Sequence, residues 1–198
     1  MKKISKFSLM LVVTLLTMNV HAGTVDFTLD VKKEQGKKVT FALNNVDKMN
    51  LSIYDAEGKM IHSENVNSKK VINRTYDLNA FPEGIYFLEA ESDTKFSRYE
   101  ISVVGETASL STNAVSEVYK PSFVYRNGLV WVNILNLDKS PVSIKIYNNQ
   151  NDEVYDSNSI TDQNVGKVFD INNIQNEAYT IVVTDNNKIF TKIFDKKQ

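Results

Sequence analysis

The stretch Asp77–Phe96, DLNAFPEGIYFLEAESDTKF, reads as a turn followed by a strand and then a hairpin. Pro82 sets the φ angle of the second turn position, and Gly84 tolerates the backbone geometry at the end of the turn. Beyond the turn a strand is expected to start at Ile85, with Tyr86, Leu88 and Ala90 on one face. The stretch therefore predicts a corner of an antiparallel β-structure, in which the Asp77 carboxylate caps the loop by accepting backbone amide hydrogens.

A second stretch near the C-terminus, Asp170–Ile189, reads DINNIQNEAYTIVVTDNNKI and resembles the first. At a constant offset of 93 residues, the aspartate and the tyrosine of the first stretch align with Asp170 and Tyr179 without a gap. The Pro-Glu-Gly turn is not repeated, because residues 175–177 read QNE. Self-similarity at a fixed offset indicates that a structural unit has been duplicated.

The two aligned tyrosines are candidates for a tyrosine corner, in which the hydroxyl bonds to the backbone a few residues upstream and fixes the crossing between two sheets. The alternative is a tyrosine that packs along a strand with its hydroxyl in water. Both interpretations are structural. The predicted site residues are therefore corner residues and none is catalytic: Asp77, Pro82, Gly84, Tyr86, Asp170 and Tyr179.

Short alternating runs separated by turn residues continue through both copies and predict seven strands in each. In the first copy the strands are expected near Val25–Val31, Val39–Leu43, Met49–Tyr54, Met60–Asn65, Val71–Tyr76, Ile85–Glu91 and Lys95–Val103. In the second they are expected near Val118–Tyr125, Leu129–Leu135, Val142–Tyr147, Glu153–Asp156, Lys167–Phe169, Tyr179–Val183 and Lys188–Phe194. The pattern favours an all-β fold of two tandem immunoglobulin-like antiparallel β-sandwiches with about seven strands each.

The predicted organisation is a signal peptide over residues 1–22, a first sandwich over 23–104, a linker over 105–115 and a second sandwich over 116–198. The linker is small and polar and has no apolar row. Each sandwich is small for a core that has no disulfide, so we expect the two to lean on each other. Four aromatic residues of the first copy would suit such an interface: Phe81, Phe87, Phe96 and Tyr99.

The first residues combine a basic head, MKKISK, with the apolar run FSLMLVVTLLTMNV and the small-residue end VHA. This is the pattern of a secretory signal peptide that is cleaved after Ala22. The apolar run is shorter than the roughly 18 to 20 residues that a membrane-spanning helix needs. We therefore expect an exported protein, periplasmic or extracellular, with no integral membrane segment after cleavage.

The charge balance bears on the partners. Without Lys2, Lys3 and Lys6 the chain carries 20 basic and 24 acidic groups, a formal charge of −4. This balance does not indicate a basic face for nucleic acid. The expected partner is a protein or a polysaccharide of the cell envelope, and no nucleic acid.

Few residues are suited to catalysis. The sequence has no cysteine, which excludes disulfides, thiolate metal sites and a cysteine nucleophile. His62 is the single histidine beyond the signal peptide, so a multi-histidine metal site is excluded and a serine-histidine-acid triad would depend on one residue in a strand-like run. We interpret His62 as a surface strand residue, and we expect no enzyme activity, no cofactor and no metal site.

Three carboxylates lie close in sequence, at Asp152, Glu153 and Asp156. They could serve a small hydrolase, but acidic residues on an exposed edge strand more often keep that strand from pairing with its neighbours. Residues 148–152 (NNQND) and 184–188 (TDNNK) are weak calcium-loop candidates. Both lack the spaced acidic ligands of an EF-hand and are interpreted as hairpin turns.

Trp131, with Phe123 and Tyr125, could form an aromatic platform for a sugar. The favoured alternative is a tryptophan in the core of the second copy.

The order IYDAEGKMI, then YDLNAFPEGIYFLEA, then TKFSRYEI resembles the C-terminal sorting domains of proteins exported by the type IX (Por) secretion system, and related small secreted bacterial domains of unknown function. The resemblance covers Val39–Val103 well and Leu129–Phe194 faintly, and it implies a seven-stranded immunoglobulin-like sandwich. A sorting signal is expected to be the last domain, yet the copy that keeps PEGIY is the first. The last copy has NEAYT in its place, although its end, KIFTKIFDKKQ, is rich in lysine.

The leading hypothesis is a non-enzymatic exported protein that acts as a binding or structural module at the cell envelope or outside the cell. One alternative is a cargo protein whose C-terminal sandwich is a type IX sorting signal. The other is the carboxylate-dependent hydrolase.

Overall fold

The computed structural model describes residues 27–171, 178–186 and 188–195. The predicted signal peptide lies outside them. In the described residues the chain forms sixteen strands and no helix. The strands are β1 (Thr28–Gln35), β2 (Lys38–Asn44), β3 (Lys48–Tyr54), β4 (Met60–Asn67), β5 (Val71–Asp77), β6 (Gly84–Glu91), β7 (Lys95–Val104), β8 (Thr107–Leu110), β9 (Ser116–Tyr119), β10 (Ser122–Arg126), β11 (Leu129–Leu135), β12 (Val142–Asn148), β13 (Glu153–Asp156), β14 (Asn164–Asp170), β15 (Ala178–Asp185) and β16 (Lys188–Asp195). The predicted all-β, antiparallel, sandwich-like fold is confirmed.

Two sheets build the first part of the chain. A three-stranded sheet has the order β1-β2-β5, and a six-stranded sheet has the order β4-β3-β6-β7-β8, with β9 pairing to β7 as well. One face of each sheet contributes to a single core, which includes Phe41 and Leu43 from β2, Leu51 from β3, and Leu88 from β6. We call this unit, residues 27–119, the first sandwich.

The second part repeats this connectivity. Its sheets have the orders β10-β11-β14 and β13-β12-β15-β16. They enclose a separate core that includes Val130 and Val132 from β11, Ile144 from β12, and Ile181 and Val183 from β15. We call the described residues 122–195 the second sandwich. Successive side chains of a strand point to opposite faces of its sheet, so the apolar residues at every second position of these strands are the ones that are buried in the cores.

Two of the predicted hairpin turns contain residues with a left-handed backbone. In the β3–β4 turn Gly58 has a φ angle of 84°, and in the β12–β13 turn Asn151 has a φ angle of 64°. Glycine and asparagine adopt this conformation most readily. The two turns occupy equivalent places in the two sandwiches, as the sequence predicts.

The expected linker over residues 105–115 differs from the structure. Within it β8 pairs antiparallel with β7 and buries Ala108 and Leu110 in the first core. The amide N–H of Ala108 also donates to the carbonyl of Gly36, at 2.9 Å. The segment is therefore part of the first sandwich, held there by its pairing with β7 and by the burial of one small and one large apolar side chain.

The strand expected at Val118–Tyr125 is divided into two. β9 adds to the first sandwich beside Lys95–Arg98, and β10 begins the second sandwich by pairing with β11. Pro121 stands between them. Because proline has no N–H and restricts the preceding residue, it interrupts a strand at this point. The junction between the sandwiches is therefore reduced to Lys120 and Pro121.

Among the described residues there is no helix that could cross a membrane.

Candidate functional site

The predicted first corner lies between β5 and β6. Asp77 Oδ1 accepts the backbone N–H of Asn79 at 3.1 Å, and its carboxylate also pairs with Lys38 at 3.1 Å. The hydrogen bond from Asn79, followed by that from Lys38, holds the pKa of Asp77 below its usual value. The Phe81 N–H donates to the carbonyl of Leu78 at 2.9 Å and closes the loop.

The turn and the tyrosine of this corner are linked directly. The Tyr86 hydroxyl donates to the carbonyl of Pro82 at 3.0 Å, four residues upstream, and the Tyr86 ring lies 5.0 Å from that of Phe81. Gly84 has a φ angle of 154°, a conformation that residues other than glycine rarely adopt. The third turn residue, Glu83, accepts the N–H of Gly105 on its Oε1 at 3.0 Å. The corner thus joins the start of β6 to the turn after β7.

The predicted second corner is described only at its ends. Asp170 is the last residue of β14, and Tyr179 is buried in the second core on β15, opposite Phe194. Residues 172–177, which replace the Pro-Glu-Gly turn, lie outside the described residues.

His62 belongs to a polar cluster that bridges the two sheets of the first sandwich. From β4, Glu64 accepts the Tyr76 hydroxyl at 2.8 Å and the Arg74 Nε–H at 3.1 Å on β5. His62 Nε2 lies 4.0 Å from Glu64, and its ring meets the Tyr76 ring edge-on at 5.7 Å. Burial, then the hydrogen bond to Glu64, raises the pKa of Tyr76. The cluster closes the side of the sandwich, and the His62 side chain is about half exposed.

Two of the three candidate carboxylates of the second sandwich pair with one lysine. Lys145 on β12 contacts Glu153 at 2.8 Å and Asp156 at 3.1 Å. These hydrogen bonds raise the pKa of Lys145, and the pKa of Asp156 is lowered first by the backbone N–H of Asn158 and then by Lys145. Asp152 accepts the Nδ2–H of Asn148 within the hairpin, at 3.0 Å. The carboxylates are thus engaged in ion pairing and turn formation.

The TDNNK hairpin ends β15 with a buried carboxylate. Asp185 Oδ1 accepts the Ser140 hydroxyl at 3.0 Å, and burial raises the pKa of Asp185. Asp138 accepts the Asn186 Nδ2–H at 2.8 Å across the same end of the sandwich. Within residues 27–171, 178–186 and 188–195, no group of three or more histidine, cysteine or acidic side chains could hold a metal ion.

A buried ion pair joins β7 to β9. The Lys95 side chain is only about 6% exposed, and its ammonium donates to Glu117 Oε1 at 2.6 Å. The Ser97 hydroxyl donates to the same oxygen at 2.8 Å. The ammonium also lies 4.8 Å from the centroid of the Phe27 ring and 5.6 Å from that of Tyr119. Sequence reasoning missed this site, because it placed Glu117 in the second sandwich.

The two sandwiches contact each other beside the junction. Lys188 at the start of β16 donates to Glu89 Oε1 on β6 at 2.7 Å, and its ammonium lies 4.2 Å from the centroid of the Phe96 ring. The Phe96 ring also meets Phe190 at 6.2 Å. From the junction, Lys120 pairs with Glu91 at 2.8 Å. Of the aromatic residues proposed for an interface, Phe96 takes part in this contact.

The other three aromatic residues contribute elsewhere. Phe81 packs on Tyr86, Phe87 lies 4.0 Å beneath the guanidinium of Arg98, and Tyr99 is buried in the first core. The sequence alone offers no means of telling these four aromatic residues apart. Their positions in the folded protein decide which of them lies at the contact between the sandwiches.

The expectation that Trp131 is a core residue is wrong. Its strand reads LVWVNIL, and Val130 and Val132 on either side of the tryptophan are fully buried in the second core. Trp131 therefore points to the opposite face of the sheet, where it is half-buried. Phe123 and Tyr125 of β10 approach Phe194, each at 6.4 Å, so they do not share a platform with Trp131. The alternation of β11 already contained the signal that separates the tryptophan from the core.

In the comparison with known proteins, one family model matches most of the first sandwich. Residues 18–103 match the family model of the secretion system C-terminal sorting domain. The resemblance read from the sequence motifs is thereby confirmed for the first copy. The match ends inside β7, so β8, β9 and the second sandwich lie beyond it.

No curated protein matches this chain. Among solved structures, the BSP domain of a biofilm associated protein is 13% identical, with a TM-score of 0.27, and the match covers 83% of this chain and 28% of that one. Native alpha-2-macroglobulin from Escherichia coli, spanning domains NIE-MG1, is 10% identical, with a TM-score of 0.25, and the match covers 89% of this chain and 100% of that one. This chain therefore spans little more than a quarter of the first of these structures.

Proposed function

We propose that the protein is exported and acts, without catalysing a reaction, as a binding or structural module at the cell envelope or outside the cell. The family match supports export, because sorting domains of this family belong to a secretion system. The observation that supports a role as a module is the pairing of β7, the last strand of the matched segment. Its far edge is occupied by β8 and β9, and the chain then continues into a second sandwich.

This arrangement favours a module over a detachable tail. An unpaired edge strand is a natural surface for a partner that adds a strand. In the first sandwich that edge is filled by residues of the same chain, and Lys95 ties β7 to β9 through its buried pair with Glu117. The first sandwich is thus integrated into a larger body whose exposed surfaces lie elsewhere, for example on β16, where Ile189 and Ile193 are exposed.

The test is affinity capture from envelope extracts with the immobilised chain from Gly23 to Gln198. Reproducible recovery of one protein or polysaccharide supports the proposal. The matched control is the same chain unfolded by heat before immobilisation. Recovery of nothing beyond this control counts against a binding module.

The family match also favours a second candidate, a type IX cargo protein. The hypothesis drawn from the sequence places the sorting signal in the C-terminal sandwich, whereas the family model matches the first sandwich. Two fusions to an exported reporter separate these possibilities, one carrying residues 116–198 and the other residues 23–119. A reporter that reaches the outside only with residues 116–198 supports the C-terminal signal, and one that stays periplasmic with both fusions removes the sorting function.

A further inference from the structure

The outer face of the sheet β10-β11-β14 is centred on Trp131. In the antiparallel register Trp131 lies between Val124 of β10 and Val168 of β14. Residues that are directly opposite across an antiparallel pair project to the same side of the sheet. The three side chains therefore form one row, with the tryptophan in the middle.

Polar rows flank this apolar row. On one side Asn133 lies between Ser122 and Gly166. On the other side Leu129 lies between Arg126 and Asp170. The face thus presents one aromatic ring between two bands that contain hydroxyl, amide, guanidinium and carboxylate groups.

The face is open to solvent. Val124 is 50% exposed and Val168 is 36% exposed. Ser122, Arg126 and Gly166 are exposed as well. Among the residues that the structure describes, the contacts with the first sandwich are made by Lys188 and Phe190 of the other sheet and not by residues of this face.

Gly166 keeps space open beside the tryptophan. A Cβ at this position would lie 3.6 Å from the Asn133 Oδ1, which is ordinary van der Waals contact. A larger side chain could therefore be accommodated by the strand, but it would rise into the space above Asn133 and next to Trp131. The glycine leaves the Asn133 amide accessible from above the sheet.

We propose that this face binds a neutral, hydroxyl-rich glycan, with one sugar ring stacked on Trp131. An indole ring offers a flat apolar surface that suits the apolar side of a sugar ring. Asn133, Ser122 and Arg126 supply hydrogen-bonding groups around it, where sugar hydroxyls would lie. This assignment deepens the proposed function and rests on it, since it names the class of partner.

Size and charge favour a glycan over a protein. Three strands spaced by about 4.8 Å and three same-face rows spaced by about 6.8 Å give the face about 10 Å by 14 Å. This is about 140 Å², less than a fifth of the roughly 800 Å² per partner in a stable protein interface. Arg126 and Asp170 oppose each other in one row, so the face has no excess of either charge to attract an ionic ligand.

The test uses the whole chain from Gly23, with both sandwiches present. Affinity gel electrophoresis is run in gels that contain hydroxyethylcellulose, dextran or yeast mannan, all neutral polysaccharides. Trp131 is the single tryptophan of the chain, so tryptophan fluorescence reports on this face alone. We expect at least one polysaccharide to retard migration and to change the fluorescence in a saturable manner.

Three variants assign the binding to the face. Trp131→Ala is expected to weaken binding at least tenfold. Gly166→Thr, which keeps the tryptophan and suits a strand, is expected to weaken it similarly by filling the space above Asn133. Val154→Ala is the matched control, because Val154 is an exposed apolar strand residue of the other sheet and is expected to leave binding unchanged.

The proposal is overturned if none of the three polysaccharides retards the protein, or if Gly166→Thr and a folded Trp131→Ala bind as the parent does. Should Trp131→Ala fail to fold, Gly166→Thr alone decides. Capture of an envelope protein that is lost in Gly166→Thr, with no retardation by polysaccharide, also overturns the glycan assignment. That last result would leave the proposed module function standing, so the two failures are distinguishable.

Discussion

The Tyr86 hydroxyl donates a hydrogen bond to the carbonyl of Pro82, four residues upstream, and this bond links the Pro-Glu-Gly turn to the strand that follows it. A buried hydroxyl needs such a partner, because leaving it unpaired costs free energy. The roles of Asp77, Pro82 and Gly84 in the loop could be interpreted from the sequence, since each acts on the backbone at its own position or within two residues of it. The atom that receives the tyrosine hydrogen depends on how the turn folds, and it required the structure.

Replacing Tyr86 with phenylalanine should destabilise the protein by about 1 kcal/mol, because the change removes one hydrogen bond and keeps the ring. The free energy of unfolding in urea measures the effect. Tyr125→Phe is the matched control, since the described residues give the Tyr125 hydroxyl no hydrogen bond. Equal stability of the two variants would contradict a stabilising role for the Tyr86 hydroxyl.

Glu117 makes the stability depend on pH. Burial acts most strongly on this carboxyl and favours its neutral form, but the hydrogen bonds from Lys95 and Ser97 and the attraction of Lys95 together lower its pKa. Since the unfolded carboxyl titrates near about 4.3, the folded protein favours the ionised form. The stabilisation is present above that pH and is lost as the pH falls through the lowered pKa of the folded state.

We therefore expect Glu117→Gln to cost about 1 to 3 kcal/mol of unfolding free energy at neutral pH, because a buried ammonium loses its carboxylate. The difference from the parent protein should shrink as the pH is lowered below about 4. Denaturant titrations at several pH values measure it. The exposed Glu106→Gln provides the control, and a Glu117→Gln effect that stays constant with pH would contradict the linkage.

At the scale of elements, the strands that the sequence predicted are those with several large alternating residues, such as β2 and β11. β8 was missed because TASL has one small and one large apolar residue, a weak signal among polar neighbours. β9 and β10 were merged because the run of residues around Pro121 has similar composition on both sides. Pairing partners are long-range properties, and alternation within one strand does not specify them.

Leu110→Ala tests whether β8 is a structural strand. Leu110 is 5% exposed within the first core, so we expect a loss of about 2 to 3 kcal/mol in the free energy of unfolding. Val115→Ala, in the same segment but 53% exposed, should change it by less than about 0.5 kcal/mol. Similar small effects for both would return residues 105–115 to the role of a linker.

At the scale of the whole molecule, the two sandwiches have separate cores, and in the described part of the chain they meet through the ion pair of Glu89 with Lys188 and through Phe96, which contacts both Phe190 and the Lys188 ammonium. The sequence predicted that they would lean on each other, and the structure supplies the atoms: Glu89 with Lys188, and Phe96 with Phe190. The ion-paired residues are 99 positions apart, and neither shows a local pattern that marks it as an interface residue. The composition of the first copy indicated an excess of aromatic residues, but only the structure shows that Phe96 is the one at the contact.

A double-mutant cycle with Glu89→Ala and Lys188→Ala measures this contact. We expect a coupling free energy of about 1 kcal/mol, because the Glu89 carboxylate is largely buried at the contact. The same cycle on the exposed pair of Lys145 and Glu153 should give about 0 to 0.5 kcal/mol. Coupling at Glu89 and Lys188 no greater than in this control would show that the pair does not hold the sandwiches together.

The junction at Lys120 and Pro121 changes what such a small contact can do. A junction of two residues leaves the sandwiches little freedom to move relative to each other. The chain therefore holds Lys188 near Glu89 at an effective concentration far above that of two separate domains in solution. A contact that is too weak to hold two separate proteins together can then fix the orientation of one sandwich relative to the other. The glycan face, on the second sandwich, would consequently point at a constant angle from the first, and a few glycines and serines inserted after Lys120 would remove that constancy without touching either core.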